Sequence, residues 1–229
     1  MNTHAPLVDR HYGPPLLVPA LSYLVLFAAS LVFAMGVAQG TFPFPWDTLQ
    51  AKVAYFAANA SSTRVMAFLQ LGAAIPLAVY TATVVSRLRF FGSRAAGPGI
   101  ALAGGLLASF SLIGSALMEW MLSRPGTVEN PMLVSAFYDL AFLLGGPVHM
   151  AGMGLLLLGV SVPLFFMRLI PRGICVLGFV VGVVAEISTL TLLTFKASYL
   201  LPARFPALVW MILVAATLPA WKLKGSLED

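Results

Sequence analysis

Charge is scarce in this chain. Of its 229 residues only 9% are charged, where a soluble domain carries about 25%. Sixty per cent are hydrophobic, and the mean hydropathy is +0.95. Several apolar runs reach about 20 residues, the length that crosses ~30 Å of hydrocarbon. That pattern excludes an ordinary soluble core. It also excludes a transmembrane barrel, whose strands alternate in short segments, because these runs are continuous. The expected fold is all-α, a polytopic membrane protein.

Cysteine is nearly absent. The single Cys175 excludes an intrachain disulfide, a dithiol redox centre and a cysteine metal site. In its apolar run it reads as a small buried hydrophobe. Histidine is scarce too. Only His149 falls within a span, since His4 and His11 precede the first one, so a bis-histidine haem site lacks its second ligand and is not expected. Glu119, Asp139 and His149 could offer O, O and N to zinc, but no HExxH or comparable spacing supports that. No P-loop, dinucleotide fingerprint or GxSxG elbow occurs. Retinal chemistry would want a lysine deep in a span, and Lys196 lies near an end. No cofactor and no metal are expected.

The net charge is +5 and the pI about 9.7. The basic residues sit in short loops rather than on a basic helix, so nucleic acid is not an expected partner. The expected partners are the lipid bilayer and either a small ligand or another membrane protein. The first apolar run, residues 16–38, exceeds the roughly 7 to 15 residues of a signal-peptide core. It reads as an uncleaved span.

Six spans are predicted, at residues 15–38, 64–86, 96–122, 147–167, 174–195 and 205–221. Residues 47–58 read as a short amphipathic helix on the outer surface, capped by Asp47 or Thr48. Trp46, Tyr55 and Phe56 fit an interfacial aromatic belt. Asn59-Ala60-Ser61 matches a glycosylation sequon. Pro76 predicts a kink. Gly104, Gly105, Gly114, Gly178 and Gly182 allow close helix approach. Gly145-Gly146-Pro147 reads as a break. The piece before it, residues 132–144, has 13 residues, or ~20 Å as helix, too short to span.

Charge counting supports six spans. With both termini in the cytoplasm, eight basic residues lie inside: Arg10, Arg87, Arg89, Arg94, Arg168, Arg172, Lys222 and Lys224. Five lie outside: Lys52, Arg64, Arg124, Lys196 and Arg204. If 132–144 also spanned, the count would become six inside and seven outside, against the positive-inside rule.

Five ionisable side chains stand in otherwise apolar segments: Glu119, Asp139, His149, Glu186 and Lys196. Each costs roughly 2.5 to 3.5 kcal/mol at a helix centre, and such residues usually mark function. Lys196, near a helix end, reads as snorkelling to the interface. Glu119, Asp139 and His149 fall in the outer third of the membrane, joined by Gln70, ~9 Å into its span. Their alternatives are headgroup solvation for Glu119 and His149, exposure or capping for Asp139, and an interhelical hydrogen bond for Gln70. Glu186 falls near mid-membrane, with Thr189 at i+3 on its face.

Three functions fit these placements. One is a binding or accessory protein with an outward-facing polar pocket. A second is a small proton-coupled transporter using Glu186. A third is an intramembrane enzyme acting on a lipid or small apolar substrate through Glu119, Asp139 and His149. No motif demands chemistry, which favours the first.

Five features stand in order along residues 50–195: Lys52 to Ala58, Ser86-Arg87-Leu88-Arg89, Phe137-Tyr138-Asp139-Leu140, the Gly- and His-containing break, and Leu169-Ile170-Pro171-Arg172-Gly173. In these the chain resembles an uncharacterised bacterial domain-of-unknown-function family of small six-helix membrane proteins. The resemblance implies six helices and bacterial origin, and the expected location is then the bacterial cytoplasmic (inner) membrane. It brings no activity and no catalytic residues.

Overall fold

In the computed structural model, which describes residues 8–223, six stretches are long and apolar enough to cross a membrane. They are Leu17–Val37, Ala60–Phe90, Gly97–Leu122, Pro131–Met167, Arg172–Leu192 and Lys196–Thr217. The helices within them are α1 (Leu17–Val32), α3 (Ala60–Phe90), α4 (Gly97–Leu122), α6 (Pro131–Leu143), α7 (His149–Met167), α8 (Arg172–Ile187) and α9 (Arg204–Thr217). Between them lie α2 (Leu49–Ala58) and the single turn α5 (Pro125–Val128). The protein is an all-α, multi-pass membrane bundle.

Its surface fits that setting. Phe68, Phe110 and Phe166 are each about three-quarters exposed, at 74%, 76% and 77%, and they are joined by many outward Leu, Ile and Val. Apolar surface on this scale marks a membrane or partner contact rather than water.

Six helices close a ring in the order α1, α3, α4, α7, α8, α9, with α9 returning to α1. The Pro131–Met167 run is the innermost, 61% buried against 33% to 50% for the others. Lipid tails are as apolar as Leu, so close packing rather than water exclusion holds such helices together. The α4–α7 seam shows how. A methyl on Gly152 would strike the Ala108 amide, and one on Gly159 would lie 2.5 Å from the Ala101 amide. Only hydrogen at these positions lets the two backbones touch. Tyr23, Phe27, Leu77, Tyr80, Met153 and Trp210 fill the centre.

Hydroxyls inside the spans satisfy themselves locally. Ser30, Thr81, Ser109 and Ser111 each donate to a carbonyl three or four residues back, as hydrocarbon surroundings require. Cys175 is free and buried.

Both described ends of the chain meet at one end of the bundle. Strand β1 (Val8–Arg10) pairs antiparallel with β2 (Trp221–Leu223). Arg87, in the last turn of α3, donates to Leu218 O at 3.0 Å and Pro14 O at 3.5 Å. His11 Nδ1 accepts from the Gly13 amide, so Nε2 carries the proton and donates to Ser86 Oγ at 2.9 Å. His4 and Lys224 lie outside the described residues.

Four local expectations change. Gly145-Gly146-Pro147 does not break the helix. Residues Leu144–Val148 form a π turn inside one continuous run. Proline lacks an amide and crowds the carbonyl four residues back, and a wider turn accommodates both. Tyr55 and Phe56 are not a lipid-water belt. They are 7% and 1% exposed, packed with Phe42, Leu122, Val134 and Tyr138. Burial pushes the Tyr55 hydroxyl up to about 12, and it donates to Ala34 O at 2.7 Å. The sequon asparagine is also inside. Asn59 bonds the backbone of Gln39 and Tyr55. Finally, α8 ends at Ile187, short of the expected end at 195, and Ser188–Leu192 continues as a 3₁₀ turn, so Glu186 stands in the last α turn.

The helix at the surface starts close to where it was expected. Thr48, not Asp47, is the N-cap of α2, its hydroxyl accepting from the Ala51 amide at 3.3 Å. Helix α3 passes through Pro76 without interruption.

Candidate functional site

At the bundle end opposite the β1–β2 ribbon, the helices part around a cavity of about 180 Å³. Its polar wall comes from two neighbouring helices. Gln70 projects from the first half of α3. Ser115 and Glu119 project from the last half of α4, one turn apart and so on one face. Gln70 Nε2 donates to Ser115 Oγ at 3.0 Å and to Glu119 Oε1 at 3.2 Å. Ser115 donates to Ala141 O at 2.9 Å and lies 3.4 Å from Glu119 Oε1. The two contacts to Glu119 both reach the same carboxylate oxygen, Oε1. Glu119 Oε2 is buried with no partner.

Arg204, the first residue of α9, lines the same cavity. It donates from Nη2 to Gly145 O at 3.0 Å and from Nε to Leu201 O at 3.4 Å. Its guanidinium stands 5.8 Å from the Phe27 ring centre. A cation at a helix N-terminus opposes the helix dipole, so its position is set by these contacts and not by the helix. Glu119 and Arg204 share the cavity without a direct ion pair; among the described residues only Lys52–Asp139 forms one.

The remaining wall is apolar and largely aromatic, with Phe27, Phe42, Phe56, Tyr138 and Phe142. The Tyr138 hydroxyl is already committed to Pro43 O at 2.6 Å. Helix α2 roofs the site through Phe56, and the π turn contributes Gly145 and Gly146. A methyl on Gly145 would lie 2.5 Å from Ser115 Oγ, so the polar cluster depends on that glycine. π turns are rare and recur at functional sites. A mostly apolar cavity with a few convergent polar groups is the usual form of a small-molecule site.

Of the residues singled out from sequence, the cavity gathers Gln70 and Glu119 and leaves out five. His149 is 0% exposed and lines no part of it. Its Nδ1–H donates to Ala108 O at 2.9 Å, and Nε2 accepts from the Tyr23 hydroxyl at 3.3 Å. Both ring nitrogens are satisfied, which makes it a bond between α1, α4 and α7. Asp139 is half exposed and pairs with Lys52 at 3.5 Å. Lys52 is itself buried, donating to Pro45 O at 3.0 Å and covering the Tyr138 ring at 4.3 Å. Glu119, Asp139 and His149 therefore do not converge, and no group of three potential metal ligands occurs among the described residues.

Glu186 lies between α7 and α8, its carboxylate against Gly154. Its Oε1 is buried without a partner, but it does not line the cavity. Thr189 bonds the Glu186 carbonyl at 2.6 Å and not its carboxylate. Lys196 is exposed. Sequence reasoning missed Ser115 and Arg204. Ser115 was findable, standing at i−4 from Glu119. Arg204 was counted only as a loop cation.

Compared with known proteins, the chain matches no family model, no curated protein and no solved structure.

Proposed function

We propose that this is a binding protein of a bacterial cytoplasmic membrane, with both termini inside and the Glu119 cavity open to the outer side. The observation that carries the reading is Glu119 Oε2, a buried carboxylate oxygen without a partner beside a cavity of about 180 Å³. A buried polar atom left unpaired costs about 1 to 3 kcal/mol, more if charged, and a ligand in the cavity would supply the missing partner. The excess of basic residues on the β1–β2 side supports its cytoplasmic placement. The resemblance of residues 50–195 to a bacterial family supports the choice of membrane.

Site access tests this reading. Glu119→Cys in a Cys175→Ala background should react with a membrane-impermeant thiol reagent added outside intact cells. Filling the cavity by Ala34→Leu should slow that labelling. Labelling only in inside-out vesicles, or none in either orientation, defeats the proposal.

A further inference from the structure

The cavity also carries information about what fits it. Resting on the reading of it as a ligand site, we infer that its ligand is a neutral, single-ring molecule bearing one hydrogen-bond donor and one acceptor, an aromatic amide or phenol in chemical class.

Size comes first. A cavity of roughly 150 Å³ lined by apolar side chains takes up benzene, and this one is about 180 Å³. One ring with a short polar substituent fills it; a lipid or a fused polycycle does not fit within it. Five aromatic side chains line the space, and ring pairs in offset or edge contact gain beyond simple burial.

Charge narrows the class. The lining holds one carboxylate, Glu119, and one guanidinium, Arg204, and its other residues are neutral. An ammonium ligand would meet Glu119 but face Arg204, and an anionic one would do the reverse. In a low-dielectric site such a like-charge approach is costly. A ligand with no net charge escapes both penalties.

The free hydrogen-bonding positions set the polarity. Glu119 Oε2 is an acceptor with nothing donating to it. Arg204 Nε and Nη2 are committed to Leu201 and Gly145, and its Nη1 has no partner among the described residues. A ligand spanning them donates to Glu119 and accepts from Arg204. The amide of benzamide does both from one substituent.

The test uses full-length protein in lipid nanodiscs, titrated by calorimetry against protein-free nanodiscs. The probes are benzamide, benzylamine and benzoate, which share a ring and differ in charge. Benzamide should bind saturably, and the two ions at least tenfold more weakly. Glu119→Leu should weaken benzamide about tenfold or more, as expected for loss of a hydrogen bond to a charged group. Ala34→Leu keeps every polar group, fills the space and should abolish binding. Either ion binding as well as benzamide overturns the ligand class while leaving the cavity as a site. Unchanged benzamide binding in Ala34→Leu places the probe elsewhere and overturns the inference. If no ring compound binds although Glu119→Cys labels from outside, the class fails and the pocket reading survives. Failure of both removes the two together.

Discussion

Gln70 Nε2 and Glu119 Oε1 lie 3.2 Å apart across the α3–α4 seam, while the other carboxylate oxygen is buried without a partner. The pair therefore has a bonded half and an unpaired half. Substituting Glu119→Gln removes the charge and keeps the shape. Ligand-free thermal stability should stay level or rise, because a buried charge without a full set of partners opposes folding. Thermal melts of the two proteins in nanodiscs decide this. A clear drop for the Gln variant would show that the carboxylate's charge is already compensated.

His149 is expected to be structural. Tyr23→Phe leaves its Nε2 without a donor in a site with no solvent, a cost of about 1 to 3 kcal/mol. The variant should unfold earlier yet keep external labelling at Glu119→Cys. Loss of labelling with unchanged stability would instead place His149 in the site.

The Lys52–Asp139 pair should prove unequal. Asp139 is 55% exposed at its side chain and Lys52 only 6%. Exposed ion pairs contribute about 0 to 1 kcal/mol, so Asp139→Asn should change stability little. Lys52→Ala also loses the Pro45 carbonyl and the Tyr138 ring and should be distinctly more destabilising. Equal effects of the two variants would contradict this ranking.

His11 gives the ribbon end a pH dependence. Burial first, and the neighbouring Arg87 charge second, hold its imidazole below the ordinary value of 6.5. The docked form thus favours neutral His11. Its contribution is present above about pH 6.5 and is lost as pH falls through the lower, docked value. Protonation at Nδ1 also removes the acceptor for the Gly13 amide. Hydrogen exchange at the His11 amide, which bonds Ala220 O, should speed up between neutral and acidic pH once corrected for intrinsic rates. His11→Asn should flatten that response; an equally steep response in the variant would assign it to another group.

Methyl-sized insertions at the α4–α7 seam should be among the most damaging changes in the chain. Gly152→Ala drives a methyl into the Ala108 backbone, and backbone cannot give way as a flexible side chain can. Overpacking of this kind costs about 1 to 3 kcal/mol or more. Folded yield and melting temperature measure it, and near-wild-type values would mean the seam is looser than described.

The spans were legible because length and apolarity are properties of a segment alone. So were the six crossings, since basic residues in short loops count independently of packing. What sequence rules misjudged depended on distant partners. Gly145-Gly146-Pro147 reads locally as a stop, yet Arg204 and Ser115 reach in to bond Gly145 O and Ala141 O. Tyr55 and Phe56 read as interfacial until Phe42 and Tyr138, from other segments, cover them. Gln70 and Glu119 were placed at one depth, and they do touch. His149 shared the depth but faces Tyr23 and Ala108 instead. Depth follows from counting residues, whereas facing follows from the rotation of each helix.

That rotation gives the π turn at Leu144–Val148 a further meaning. Each residue advances an α-helix by ~100°, so one residue more or fewer in the turn works as a phase setting between its two halves. Helix α7 is clamped against α4 by Gly152 and Gly159 and cannot turn. Deleting a single residue from the turn would therefore leave α7 in place and rotate α6 about its own axis. Tyr138 and Ala141 would swing off the cavity wall, and Asp139 would leave Lys52. The chain would keep the same six crossings with a different site, which makes this short turn the point where the bundle's chamber can be re-aimed without rebuilding the bundle.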